Sequence, residues 1–167
     1  MFDILLGFIH ISIGVFTAFY AFIMPKNFLY DFLYIEYTIL IFILWCIYDG
    51  CPITYYYHKY TNKIDYEAII KTDSPLYIIG DNTLDIILLC SIYTASIRSK
   101  VLPLPLTIFY LLMKVFYNFF VKKNTLFLEF KSCTHVKVCR PYIINLFFFI
   151  NILLLVYIIY KNRLKLY

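Results

Sequence analysis

Four apolar runs of about 20 residues constrain this chain more than any other feature of its sequence. A helix of that length is what crosses the hydrocarbon core of a lipid bilayer. The sequence therefore predicts an all-α fold, a polytopic transmembrane helical bundle that forms a single membrane domain over residues 1–167. The four predicted spans cover residues 4–24, 29–48, 101–121 and 141–160.

The composition supports a membrane protein. Hydrophobic residues make up 63% of the chain and charged residues 15%, and the mean hydropathy is +0.79. Ordinary globular domains carry about 25% charged residues, and a soluble domain of this size buries too little of its surface to hide so much apolar area. The net charge of +5 comes from basic residues spread over loops and the tail. That spread predicts contact with lipid headgroups and excludes nucleic acid as a partner.

A fifth candidate helix covers residues 84–97, which are bounded by Arg98 and Lys100. Its length of about 21 Å is short for a span. It is predicted to cross with help from the residues before it, to be re-entrant, or to be buried between helices. An interfacial loop at 50–83 precedes it, a second loop covers 124–140, and a basic tail covers 161–167. Basic residues divide almost evenly between the two sides, and four spans with both termini cytoplasmic is the favoured topology.

The first predicted span carries small residues on one face, at Gly7, Gly14, Ala18 and Ala21. In lipid, small residues let helix backbones approach each other, so this face is predicted to be a helix-packing seam. His10 lies within the seam. The favoured role for His10 is a hydrogen bond to a neighbouring helix, and the alternatives are a metal or haem ligand and a proton relay.

Two charged residues fall well inside the predicted spans, away from their ends, and are candidate intramembrane polar sites. Lys114 lies near the middle of the third long span, where an isolated ammonium is unfavourable. Glu36, in the second span, is the acid that we expect to pair with it, because Asp31 and Asp85 fall closer to the predicted interfaces. A bridge that specifies the fold is favoured over an ion path.

The chain contains five cysteines and no Cys-x-x-Cys motif. Cys133 and Cys139 flank His135 in one loop and are candidates for a disulfide in an oxidising compartment. With His135 they would supply three zinc ligands, and a fourth, His58 or Cys51, would have to come from the other loop. Structural or free cysteines are favoured. No metal, cofactor or catalytic residue is predicted, since no phosphate-binding loop, nucleophile elbow or His-Glu-x-x-His motif occurs.

The segment Trp45-Cys-Ile-Tyr-Asp-Gly50-Cys-Pro-Ile-Thr54 resembles small polytopic membrane proteins without an established activity. In those proteins a tryptophan near the end of the second helix precedes Gly-Cys-Pro-Leu-Thr, and a histidine can lie in the first helix, as His10 does here. The chain departs from that pattern after Thr54, where tyrosines replace the usual acid. The resemblance implies architecture without a mechanism. The abundance of Ile, Tyr, Phe, Asn and Lys suggests an AT-rich genome, such as that of a giant virus, a protist or an organelle.

These features predict an integral, multi-pass membrane protein with a structural, assembly or accessory-subunit role. Its expected partners are the lipid bilayer and other membrane proteins or further copies of itself, in a viral, host endomembrane or mitochondrial membrane. One alternative is a channel or transporter subunit that uses Lys114 and Glu36. A second alternative is a haem- or quinone-linked redox protein that uses His10.

Overall fold

The structure is a computed structural model that describes residues 2–48, 75–120 and 134–163. These residues form five α-helices and no strand, which confirms the all-α prediction for the described part of the chain. The helices are α1 (Phe2–Ile23), α2 (Phe28–Tyr48), α3 (Pro75–Ser99), α4 (Leu104–Phe120) and α5 (Thr134–Asn162).

Contacts between side chains show that successive helices alternate in direction. Tyr20 near the end of α1 contacts Asp31 near the start of α2, so these helices are antiparallel. Asp31 contacts Arg98 at the end of α3, whereas Tyr34, one turn later in α2, contacts Ser91 earlier in α3. The α2 and α3 helices are therefore antiparallel as well.

The last two helices continue this alternation. Val101, just before α4, bonds Asn162 at the end of α5, whereas Tyr117 near the end of α4 contacts Phe147 in the first half of α5. Five helix ends consequently meet at one end of the bundle. We call this region the helix-end face (residues 21–31, 96–104 and 158–163). Residues 2 and 163 lie at opposite ends, whereas the predicted four-span topology has both termini on one side.

Two helices differ in extent from the sequence prediction. The helix predicted over 84–97 begins at Pro75, because a proline is tolerated in the first turn and polar residues such as Asp81 interrupt an apolar run without breaking a helix. Its 25 residues span about 37 Å. The last helix begins at Thr134, before the predicted start at Pro141, so part of the predicted loop 124–140 is helical.

Two of the described helical segments, Phe28–Tyr48 and Tyr142–Asn162, are long and apolar enough to cross a membrane. Residues 8–23 and 104–117 form shorter apolar helices. The predicted four-span bundle is therefore not confirmed.

The core is aromatic where α2, α4 and α5 meet. The Phe42 ring is fully buried and lies edge-on to Tyr117, with ring centroids 4.7 Å apart. Tyr110 and Phe147 pack around the same ring at 6.4 and 6.2 Å. Edge-to-face and tilted pairs of this kind add to the contribution of buried area. This cluster fixes the middle of the bundle.

Candidate functional site

A buried ion pair lies at the helix-end face and is the most polar feature of the described core. Asp31, in the first turn of α2, is 0% exposed, and the Arg98 side chain, in the last turn of α3, is 18% exposed. Arg98 donates from Nη2 to Asp31 Oδ1 at 2.5 Å and from Nε to Oδ2 at 2.8 Å. This bidentate geometry matches the planar guanidinium to the carboxylate.

The position of Asp31 follows from how α2 begins. Asn27 caps the helix: its Oδ1 accepts from the Tyr30 amide at 3.2 Å, and its carbonyl accepts from the Asp31 amide at 2.9 Å. The carboxylate of Asp31 therefore sits in the first helical turn, where the macrodipole favours negative charge. Helix geometry and the Arg98 charge stabilise the same anion.

The Arg98 guanidinium also caps the end of α1. Its Nη1 donates to the carbonyl of Ala21, in the last turn of that helix, at 2.8 Å and to the carbonyl of Met24, directly after the helix, at 3.0 Å. Carbonyls at a helix end lack intrahelical donors, and a cation there also opposes the negative end of the dipole. The Tyr20 ring lies 5.9 Å from the guanidinium carbon. One side chain thus joins three helices.

Asp31 accepts further hydrogen bonds beyond those from Arg98. The Tyr20 hydroxyl donates to Oδ1 at 3.1 Å, and the Ser99 hydroxyl donates to Oδ2. Four donors thus use the acceptor capacity of the carboxylate. Such a carboxylate is held as a structural anion and has no free lone pair with which to act as a general base or as a ligand. The geometry therefore favours a role in assembly of the fold over a role in catalysis.

A second polar chain lies beside the ion pair and reaches the backbone of α1. The Ala21 amide donates to Ser91 Oγ at 3.0 Å, Ser91 Oγ and the Tyr34 hydroxyl are 3.1 Å apart, and Tyr34 donates to the Thr17 carbonyl at 2.9 Å. Each hydroxyl has one proton, so these contacts are all satisfied if Ser91 donates to Tyr34. The carbonyl of residue 17 and the amide of residue 21 are partners in a regular helix. Side chains of α2 and α3 therefore bond the α1 backbone directly.

Ring stacking connects the ion pair to the second polar chain. The rings of Tyr20 and Tyr34 lie parallel, with centroids 4.0 Å apart and an interplanar angle of 14°. One tyrosine bonds Asp31 and the other bonds Ser91. The ion pair and the hydroxyl chain thus form one continuous network that fixes α1 against α2 and α3.

The end of α3 has the geometry of a Schellman motif. The Val101 amide bonds the Ser96 carbonyl at 3.1 Å, and the Lys100 amide bonds the Ile97 carbonyl at 3.3 Å. Lys100 has a φ of 52°, in the left-handed region that favours glycine. The Val101 carbonyl then accepts from Asn162 Nδ2 at 3.1 Å, which holds α5 against the α3–α4 turn.

Lys114 and Glu36, the predicted intramembrane pair, do not form an ion pair with each other among the described residues. Lys114 is 5% exposed, and its ammonium lies 5.3 Å from the Trp45 ring and 5.9 Å from the Phe42 ring. These aromatic residues lie 6 to 9 residues beyond Glu36 in α2, about 9–14 Å along the helix axis. The acid and the base are therefore at different depths in the bundle. Glu36 itself is half-buried.

The predicted seam on α1 packs in its second half. Ala18 and Ala21 are buried, whereas Gly14 is exposed and a Cβ placed there would meet nothing within 4 Å. No described helix approaches closely at Gly14. Gly7 lies in the α1 backbone, and His10 is half-buried in the first half of the helix.

The predicted cysteine site is described in part. Cys46 is buried and Cys90 is exposed, and both are free thiols. Cys51, His58 and Cys133 lie outside the described residues, so the predicted Cys133–Cys139 disulfide stays a prediction. Cys139 and His135 lie in the first turns of α5. Within residues 2–48, 75–120 and 134–163, no group of three His, Cys, Asp or Glu side chains could hold a metal ion.

Reasoning from the sequence missed the Asp31–Arg98 pair. It placed Asp31 near an interface and treated Arg98 as the end of a short helix. A usable signal was present, because Asp31 is an acid in the first turn of one helix and Arg98 and Ser99 end another. Such residues pair when antiparallel helices align their ends.

Comparisons with protein-family models, curated proteins and solved structures gave no match. The resemblance based on the Trp45–Thr54 segment, which lies mostly outside the described residues, therefore stays a prediction, as does the source suggested by composition. Any function must be inferred from the geometry of the chain itself.

Proposed function

We propose that the chain is an integral membrane protein with a structural, assembly or accessory-subunit role. The observation that carries this proposal is the apolar character of the exposed surface. Large apolar side chains face outward on all five described helices, while several polar side chains are buried among the apolar core residues. The buried set includes Asp31, Ser91, Thr107, Asn151 and Asn162, and the exposed set includes Phe8, Leu33, Ile86, Leu112 and Leu153.

The last helix carries this pattern most clearly. Leu146, Phe149, Leu153 and Val156 are 57%, 63%, 67% and 59% exposed. Their spacing of three or four residues places them on one side of the helix as a continuous apolar stripe. Soluble monomers seldom expose contiguous apolar surface of this kind. A helix that is apolar on both its buried and exposed sides is typical of a membrane span.

The closed polar network supports a structural role. Asp31 and Arg98 bond each other and nearby helix groups, so their charges are compensated inside the protein. Removing charges from water is unfavourable unless each is paired and hydrogen-bonded. The network specifies which helix ends meet, a use of buried polar groups that is established in other helical assemblies.

Membrane extraction tests the first part of the proposal. The full chain should stay in the membrane pellet after alkaline carbonate treatment and should be released by detergent. Release by carbonate alone would contradict integral membrane insertion.

Mild detergent extraction of the full chain from its native membrane then tests the assembly role. A stoichiometric complex that survives two successive purification steps supports that role, and an isolated monomer counts against it.

A transport role has one specific observation in its favour, the buried Lys114 ammonium near the Phe42 and Trp45 rings. In that case the reconstituted protein should conduct ions or transport a solute, and Lys114→Met should abolish the flux. If the wild-type protein gives no flux in sealed vesicles while its fold is intact, this alternative fails.

A further inference from the structure

Basic residues ring the helix-end face. Lys26 lies in the α1–α2 turn, Lys100 in the α3–α4 turn and Arg163 directly after α5, and all three are exposed. The acid in this face is Asp31, which is buried and bonded to Arg98. Lys26, Lys100 and Arg163 therefore add positive charge at this end without a neighbouring described carboxylate to offset it.

Hydrogen bonds hold these three basic residues on one surface. Arg98 bonds the Met24 carbonyl, which fixes the turn that carries Lys26 to the end of α3. Lys100 forms that end, and the next residue, Val101, accepts a bond from Asn162, which directly precedes Arg163. The arrangement is therefore a rigid feature of the fold, made by residues far apart in the sequence.

Helix dipoles explain part of this arrangement. Lys100 and Arg163 follow the C-terminal ends of α3 and α5, where a cation is favourable. Lys26 differs, because it directly precedes Asn27, the N-cap of α2, where the dipole disfavours a cation. The dipole of α1 opposes that effect, so the helix dipoles do not account for a lysine at this position.

We propose that the helix-end face binds the phosphate-bearing headgroups of anionic phospholipids. The proposal rests on the membrane location proposed above and names the lipid that one end of the bundle meets. Each exposed Lys or Arg near an anionic leaflet raises the affinity for that leaflet about fivefold.

The test uses the full chain in a neutral detergent, and measures its thermal unfolding midpoint against three added probes. These are dioctanoyl phosphatidylglycerol, dioctanoyl phosphatidylcholine and inorganic phosphate at matched ionic strength. A ligand that binds the native state raises the midpoint as its concentration rises. We expect phosphatidylglycerol to raise it at concentrations where the other two probes do not.

A matched pair of variants locates the site. Lys26→Gln with Lys100→Gln should weaken the apparent affinity for phosphatidylglycerol by on the order of 25-fold, from two lost basic residues. Lys137→Gln with Arg140→Gln removes the same charge from the start of α5, at the opposite end of the bundle, and should leave that affinity unchanged. Lys26→Arg with Lys100→Arg should retain it.

Several results would overturn the inference. They are an equal loss in both glutamine variants, an equal response to phosphatidylcholine, and an equal response to inorganic phosphate. Carbonate extraction separates this failure from failure of the proposed function. A chain that stays in the membrane but shows no preference for phosphatidylglycerol overturns the lipid proposal alone, and a chain released by carbonate overturns both.

Discussion

Arg98 and Lys114 are both buried basic side chains, but the protein accommodates them in different ways. Arg98 lies at the end of a helix and makes two bonds to a carboxylate and two to helix carbonyls. Lys114 lies in the middle of α4, beside the faces of Phe42 and Trp45. The planar guanidinium of Arg98 makes directional hydrogen bonds, whereas the compact ammonium of Lys114 lies where the negative faces of aromatic rings attract a cation. The bundle thus holds one cation by directional bonds at a helix end and places another against ring faces in its middle.

The largest expected effect is on the directional side of this comparison. Arg98→Met leaves the buried Asp31 without its cation and removes the bonds to Ala21 and Met24. We expect a loss of about 3–5 kcal/mol in the free energy of unfolding, the usual cost when one partner of a buried pair is removed. Equilibrium unfolding in mixed detergent micelles would measure it.

A double-mutant cycle is the control for this prediction. Asp31→Asn combined with Arg98→Met removes both charges, so the double variant should be more stable than the sum of the two single losses implies. Strictly additive losses would show that the two side chains act independently, and would contradict the pairing described above.

Lys114→Met tests the contact of a cation with ring faces. The substitution removes an attraction to two aromatic rings, worth about 0.5–2 kcal/mol, and also removes the desolvation cost of a buried ammonium. The ring attraction and the desolvation cost oppose each other, so together they should change the unfolding free energy by about 1 kcal/mol or less, and any larger loss measures the other bonds of the ammonium. A loss as large as that of Arg98→Met would show that those bonds contribute more than the rings, and would contradict a leading role for the ring faces.

Tyr34→Phe tests the chain of hydroxyl groups formed by Tyr34 and Ser91 beside α1, and should lower the free energy of unfolding less than Arg98→Met does. It removes the donor to the Thr17 carbonyl and the partner of Ser91, but keeps the ring stacked on Tyr20. We expect a loss of about 1–2 kcal/mol, measured by the same unfolding assay. Tyr37→Phe, on an exposed ring of the same helix, is the matched control and should change nothing. Equal effects of the two variants would contradict a role for the hydroxyl chain.

The sequence predicted helices well and predicted their pairing poorly, for different physical reasons. Apolar periodicity and length are local properties, so the helices around Ala18 and Ile35 were found at nearly their observed positions. Pairing depends on how helix ends align in three dimensions. Glu36 and Lys114 were matched because both fall inside spans, but their depths differ. Asp31 and Arg98 were separated in the prediction because each lies near a helix end, which is the property that brings them together.

The smallest expected effect is a gain at the end of α3. Lys100 adopts a φ of 52° as the residue after the last helical turn, where glycine avoids the contact between Cβ and the backbone. Lys100→Gly should therefore raise the unfolding free energy by about 0.5–1 kcal/mol, measured without added lipid so that any loss of headgroup binding does not contribute. Lys26→Gly is the matched control, because it removes the same charge from an exposed position without a positive φ, where glycine adds only chain entropy to the unfolded state. The control should be neutral or slightly less stable. A gain in both variants would assign the effect to charge repulsion around the helix-end face and not to the backbone, and would make that face less favourable to the fold than its hydrogen bonds indicate.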